Sequence, residues 1–342
     1  MKEPFHEAIA TLQSIFGLRL SKRTAELHNH RMAQHAESFL ASQSYEEALD
    51  ESDSATILVA TADGTSVPMK TSDRTKQPAS NKGPQAGTTR RAYVGATYEI
   101  EPFIRDANSI MDELFRDEAE SHRPRPQRKH LWAEMAAAPD SLFSGTQRLF
   151  AELGMEVHRR DPERERVLVT IMDGERHLWD LKSEWLGRAV EVLDFFHALE
   201  RVREVAKFAE SELSRRETWV QRQVKDLLEG RVKNVIERWQ RLANKKNAPA
   251  EVASAVTYFQ NNQHRMQYDE YLSAGYPIGS GMAEGACRNL VKDRMDCTGM
   301  HWTLKGAQAM LWTRALYLND QWKEFVEHRI QKEQFQIYQT AA

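Results

Sequence analysis

Cysteine is nearly absent. The 342-residue chain has two, Cys287 and Cys297, too few for a disulfide framework or a zinc site of four cysteines. Both are expected to be buried free thiols. No stretch approaches the roughly 18 consecutive apolar residues that a membrane helix needs. The opening MKEPFHEAIATLQSIFG is broken by Glu3, His6 and Glu7, so it reads as neither secretory signal nor membrane anchor. The expected compartment is the cytoplasm. A strong charge of either sign is also missing: 47 Lys+Arg against 50 Asp+Glu leave a net charge of −3. Whole-chain charge therefore does not mark a nucleic-acid binder, and such a role would need local basic patches. The hydrophobic fraction of 41% is that of a globular protein, long enough for one sizeable core and a second small domain.

Two basic patches stand out. Ser121–His130 (SHRPRPQRKH) spaces Arg123, Arg125, Arg128 and Lys129 with prolines. Glu200–Lys246 has 13 Lys/Arg against 8 Asp/Glu, although mixed-charge helical stretches are usually just solvated faces.

Residues 4–45 read as helical: Ala8, Leu12, Ile15 and Phe16 recur at helical spacing. Gly17 breaks the pattern, and Ser21 is placed to cap a second helix with Arg23, Leu27 and Met32. This suits a helix-turn-helix reader or an ordinary helical hairpin. Thr56–Ala62 reads as a strand ending at the turn Asp63-Gly64, and Thr65–Met69 as a second strand. Thr71–Thr89 reads as a long polar loop, and Arg91–Ile100 as a third strand. Residues 102–154 read mostly as helix, broken by the Pro-rich basic segment. Val167–Met172 is a fourth strand ending at Asp173-Gly174, and Ala189–Leu193 a fifth ending at Asp194. Between these two, Glu175–Leu186 reads as helix. From Phe195 to about Leu272 there is only helical periodicity. A turn at Gly275–Ser280 leads to a helix capped by Ser280 and running to about Thr298, and another spans about Thr303–Leu318. The tail reads as polar helix or disorder. The expected fold is α/β: a ribonuclease H-like mixed sheet of three antiparallel then two parallel strands, with a helical insertion. The expected units are an N-terminal helical segment (1–50), a first catalytic part (51–199), the insertion (200–274), a second catalytic part (275–320) and the tail (321–342).

Three strands end in an aspartate: Asp63, Asp173 and Asp194. Ligand sites lie at the carboxyl ends of parallel strands. Gathered carboxylates repel unless a cation joins them, and hard oxygen donors select Mg²⁺ or Mn²⁺. Each Asp also reads as a plain turn residue. A further carboxylate must come from elsewhere. Tyr276–Arg294 (YPIGSGMAEGACRNLVKDR) carries Glu284 in the first turn of its helix, with Arg288 and Lys292 following at four-residue steps. These can meet a DNA phosphate or pair with Glu284. Trp302, after a helix break, is a candidate for stacking on a DNA base. The other tryptophans read as core.

The run YPIGSGMAEGACRNLVKDRMDCTGMHWTLKGAQAMLWTRALYLN (Tyr276–Asn319) resembles the C-terminal signature of ISKra-type insertion-sequence transposases. Val169–Val202 (VTIMDGERHLWDL…AVEVLDFFHALERV) is similar to the middle of that family, and Val59–Met69 (VATADGTSVPM) to its first catalytic strand. Residues 70–165 and 203–270 match loosely. The resemblance implies a bacterial DDE transposase that cuts DNA at the element's ends and joins it to target DNA, using two Mg²⁺ or Mn²⁺ ions. It places the metal-binding catalytic residues at Asp63 and Glu284. Asp173 is favoured as the second aspartate, because the fourth strand lies beside the first in a ribonuclease H-like order, with Asp194 as the alternative. In Mutator-like relatives a similar strand-end motif with a histidine precedes a helical insertion, which gives Asp194 and His197 a possible supporting place. The resemblance further implies DNA as partner, a homo-oligomer on DNA and association with the nucleoid. Family members tend to carry N-terminal zinc-type cysteine pairs, which this chain lacks. A truncated or catalytically silent DNA-binding remnant and a structure-selective nuclease are the other readings.

Overall fold

A computed structural model describes residues 5–42, 56–74, 88–116, 123–136, 142–296 and 299–340. Cys297, residues 75–87 of the expected loop, and Ser121 and His122 of the basic segment lie outside them. Five strands form one sheet: β1 (Ile57–Pro68), β2 (Thr89–Ile100), β3 (Gln127–Met135), β4 (Leu168–Met172) and β5 (Val190–Leu193), in the order β3-β2-β1-β4-β5. β1–β2 and β2–β3 are antiparallel, and β1–β4 and β4–β5 are parallel. The expected mixed α/β sheet is present, with the fourth strand beside the first.

Two elements differ from the sequence reading. Asp63-Gly64 is no turn. β1 runs straight through it, with Asp63 opposite Val94 and Gly64 opposite Tyr93. The glycine serves packing instead: a Cβ there would lie 2.5 Å from Arg91 Nη2 and 2.7 Å from the Tyr93 ring. The two short strands expected at 56–69 are therefore one. The third antiparallel strand is β3, within a stretch read as helix, so Arg128 and Lys129 sit on a strand rather than in a basic loop. Its inner half buries Trp132, Ala133 and Met135, a pattern masked by the polar residues at its start.

Helices cover the sheet. α1 (Phe5–Phe16) and α2 (Lys22–Met32) are separated at Gly17, whose φ is +67°, and the Ser21 side chain caps α2 by accepting from Thr24 N at 3.0 Å. α3 (Ala36–Ser42) follows, and α4 (Ala107–Phe115) precedes β3. α5 (Gly145–Arg160) and α6 (Arg176–Trp185) carry the chain between β3, β4 and β5. The expected insertion is helical throughout: α7 (Phe195–Ala209), α8 (Leu213–Leu228), α9 (Val232–Ala243), α10 (Ala250–Asn262) and the short α11 (Tyr268–Ser273). Several of its charges pair among themselves; Arg231 and Arg238 both bind Asp226, as a solvated mixed-charge face would. The segment bearing Glu284 comprises α12 (Gly281–Ala286), a π-helical turn (Cys287–Lys292) and α13 (Asp293–Met295). α14 (Leu304–Leu318) is buried along most of its length, and the tail is a helix, α15 (Trp322–Thr340).

Strand alternation divides the core. Ile57 and Val59 of β1 and Val169 and Ile171 of β4 face the core formed with the inserted helices. Ala60, Ala62 and Met172 face the opposite layer, against α5 and α6. Val67 and Met69 share the first face, further along, and pack on the Glu284 segment and α14. Asp63 lies between these two clusters in the same alternation. Trp302 belongs to the second one. It is buried and its Nε1 donates to Met295 O at 3.0 Å, so it is not offered for stacking on a base.

One pH effect follows from β3. His130 stacks on Trp132 with ring centroids 4.2 Å apart. Burial pushes its imidazole down to about 4, with Glu156 opposing and Arg160 and Arg159 assisting. The unfolded imidazole, with its ordinary value of 6.5, takes up a proton that the folded one refuses. Stability is thus fully present above that value and is lost as pH falls towards 4, by about 2 kcal/mol between pH 7 and pH 5. His130→Gln should flatten the melting temperature between those pH values; an unchanged pH profile would refute the assignment.

Candidate active site

Pairing brings the middle of β1 level with the ends of β4 and β5. Ala62 is in register with Met172, and Met172 with Leu193. The next residues are Asp63, Asp173 and Asp194, and Asp194 N still donates to Met172 O at 2.9 Å. Neighbouring strands lie roughly 4.8 Å apart, so three carboxylates gather at one end of the sheet.

Each aspartate is held differently. Asp63 Oδ1 accepts from Gly64 N at 2.6 Å, and Asp173 Oδ1 from Glu175 N at 2.9 Å. Among the described residues, the second oxygen of each carries no hydrogen bond. Asp194 is wholly buried and heads α7, with Oδ1 accepting from Phe196 N at 2.7 Å. Its Oδ2 accepts from Ser280 N at 2.7 Å and from the Ser280 hydroxyl. Ser280, expected from the sequence to cap the Glu284 helix, does not do so. Its hydroxyl instead ties the start of that helix to the end of β5, and it makes no side-chain capping bond.

That tie brings Glu284 over the strand ends. The ligand atoms of Asp194, His197 and Glu284 all lie within 4.8 Å of one another, a group that could hold a metal ion. Cys287 Sγ lies 3.9 Å from Asp63 O, so the segment also rests on β1. Partial desolvation raises the carboxyl of the exposed Glu284, and Asp194 and Asp63 raise it further while His197 opposes. Burial likewise raises Asp173, with Glu175 and Asp63 adding. Asp194, His197 and Asp63 thus act on the Glu284 carboxyl, and His197 and Asp63 on Asp173, while Asp63 and Asp173 are not in the group that lies within 4.8 Å; a bound cation would relieve the repulsion among these carboxylates. The donors are chiefly carboxylate oxygens, which fit a hard divalent ion. Half-buried His197 also has Nδ1 3.7 Å from Glu200 Oε2.

Several supporting residues left no mark in the sequence. Glu175 accepts from Arg91 Nη2 at 2.9 Å and from Tyr93 Oη at 2.7 Å. It thereby clamps the Asp173 loop to β2. Burial, then the bond to Glu175, pushes the Tyr93 phenol up to about 12. From the insertion, Tyr258 Oη accepts from Gly174 N at 3.1 Å. A Cβ on Gly174 would lie 2.2 Å from the Tyr258 ring. Gly174→Ala is therefore expected to cost about 1–3 kcal/mol, read by urea unfolding; Gly174→Ala in a Tyr258→Ala background should cost far less. Equal costs in both backgrounds would refute the clash.

Of the basic residues, Arg125, Lys129, Arg288 and Lys292 are exposed. Arg288 has a distant pair with Asp293 at 3.9 Å. Arg123 is bound to Glu113 at 2.5 Å, and Arg128 to the buried Glu99. These two are therefore partly committed within the fold.

No protein-family model matches the chain, and no curated protein matches it. Among the described residues, no helix is long and apolar enough to cross a membrane.

Proposed function

We propose that this chain is a DDE transposase of the ISKra type on a ribonuclease H-like core, catalysing divalent-metal-dependent cleavage and joining of DNA strands. The observation that carries the reading is the in-register set of Asp63, Asp173 and Asp194 with Glu284 brought beside it. The sheet order supports it as well. Asp63, Asp173 and Glu284 would hold Mg²⁺ or Mn²⁺, since the first two keep a free oxygen and the third is exposed. Two such ions, when bound, activate the attacking hydroxyl and stabilise the leaving oxygen. The chain's own residues position these groups: Arg91 and Tyr93 through Glu175, Tyr258 through Gly174, and Asp194 through Ser280. Arg125, Lys129, Arg288 and Lys292 offer cations to DNA phosphates, and a homo-oligomer would bring two DNA ends together. A second reading of the same site puts Asp194 in place of Asp173, favoured by the convergence of Asp194, His197 and Glu284. Nicking of supercoiled plasmid with Mn²⁺, wild type against Glu284→Gln, tests the function. A strand-joining assay separates a transposase from a nuclease that only cuts.

A further inference from the structure

A cavity of about 670 Å³ opens at the end of the sheet away from the aspartates, against the start of β4 and β5. Leu168 on its wall is five strand residues from Asp173, about 16 Å away. Three arginines line it, Arg164, Arg166 and Arg188, together with Trp185. Its one acidic lining residue, Asp161, already accepts from Glu165 N at 2.9 Å and Arg166 N at 3.0 Å.

The cations are undercompensated. Arg166 is 3% exposed and donates from Nε and Nη2 to Thr56 and Glu99. Its Nη1 is buried without a partner, and so is Trp185 Nε1. Behind the wall, four arginines (128, 159, 160 and 166) share two buried glutamates, Glu99 and Glu156. Arg164 and Arg188 are exposed and make no ion pair among the described residues. Arg164 also has a φ of +57°, a conformation that costs a non-glycine residue energy. Buried donors without acceptors are costly, although Glu99 Oε1 in the same network is a buried acceptor without a hydrogen-bond partner. Trp185 and Leu186 add apolar wall and an indole donor beside the cationic one. The volume is that of a small-molecule site.

We propose that this cavity binds a nucleoside phosphate, with the phosphate on the exposed Arg164 and Arg188, in the field of the buried Arg166 behind them, and the base against Trp185. The nucleotide is either free or one unit of a DNA strand. The site is separate from the acidic cluster, so it stands or falls independently of the proposed chemistry.

The test uses the full chain carrying Glu284→Gln, so that DNA is not cut. Calorimetry measures binding of deoxyadenosine monophosphate, inorganic phosphate and a short single-stranded oligodeoxynucleotide. Arg164→Gly with Arg188→Ala is the variant: both side chains are exposed and glycine relieves the positive φ, so folding is retained. Deoxyadenosine monophosphate should bind more tightly than phosphate and weaken at least about tenfold in the variant. Variant-sensitive binding of the oligonucleotide alone would identify a strand as the source. Binding of none of the three ligands, or binding that the variant leaves unchanged, overturns the site. Phosphate binding as tightly as the nucleotide overturns the role given to Trp185.

Discussion

Glu284→Gln is expected to lower Mn²⁺-dependent nicking of supercoiled plasmid by about 10³-fold, a loss of about 4 kcal/mol in transition-state stabilisation. Melting should change little, because Glu284 is exposed and its carboxylate makes no hydrogen bond among the described residues. Asp63→Asn is expected to act alike. The second aspartate is the sharper comparison. Asp173→Asn retains an oxygen to accept from Glu175 N, so the fold should hold while nicking is lost. In Asp194→Asn an amide must face the Ser280 N–H and hydroxyl or give up the bond from Phe196 N. That variant should melt lower and lose activity through displacement of Glu284. Full nicking by Asp173→Asn, with nicking lost in Asp194→Asn at an unchanged melting temperature, would instead establish the set Asp194, His197 and Glu284. Wild-type nicking by Glu284→Gln would sink the metal-site reading.

The largest stability loss should come from Glu99, not from the site. Glu99 is 2% exposed and lies among Arg128, Arg160 at 3.6 Å and Arg166 at 2.9 Å. Removing a buried carboxylate leaves its partners as uncompensated charges, which costs about 3–5 kcal/mol. Against a typical stability of about 5–15 kcal/mol, Glu99→Gln should bring unfolding to markedly lower urea concentration. Glu99→Gln combined with Arg166→Met should recover part of that loss, since one orphaned charge is gone. A Glu99→Gln protein as stable as the wild type would show that these arginines find other partners.

Much of the chain was legible before folding. Apolar runs marked β4 and β5, helical spacing marked the insertion, and Gly17 with Ser21 marked the join between α1 and α2. Asp63, Asp173 and Asp194 stand out because they follow such runs, and Glu284 because it falls in the first turn of the helix after the glycine-rich segment Tyr276–Gly281. These features are local: each depends on a periodicity or a turn preference within a few residues. What failed was also local in appearance. Asp63-Gly64 carries a turn signal, yet β2 pairs with β1 along its whole length and the glycine makes room for Arg91 and Tyr93. β3 begins with polar residues, and only burial of its inner half against the sheet makes it a strand.

The sequence by itself determined β4, β5, the helical insertion and the acidic residues that follow the apolar runs. Tertiary structure alone decided the register that levels three aspartates, and the Ser280–Asp194 tie that brings Glu284 across 90 residues to join them. It also decided which arginines are spent on buried glutamates and which remain for a ligand. Those outcomes depend on distances between residues far apart in the chain, which the packing of helices against the sheet sets and no local pattern encodes.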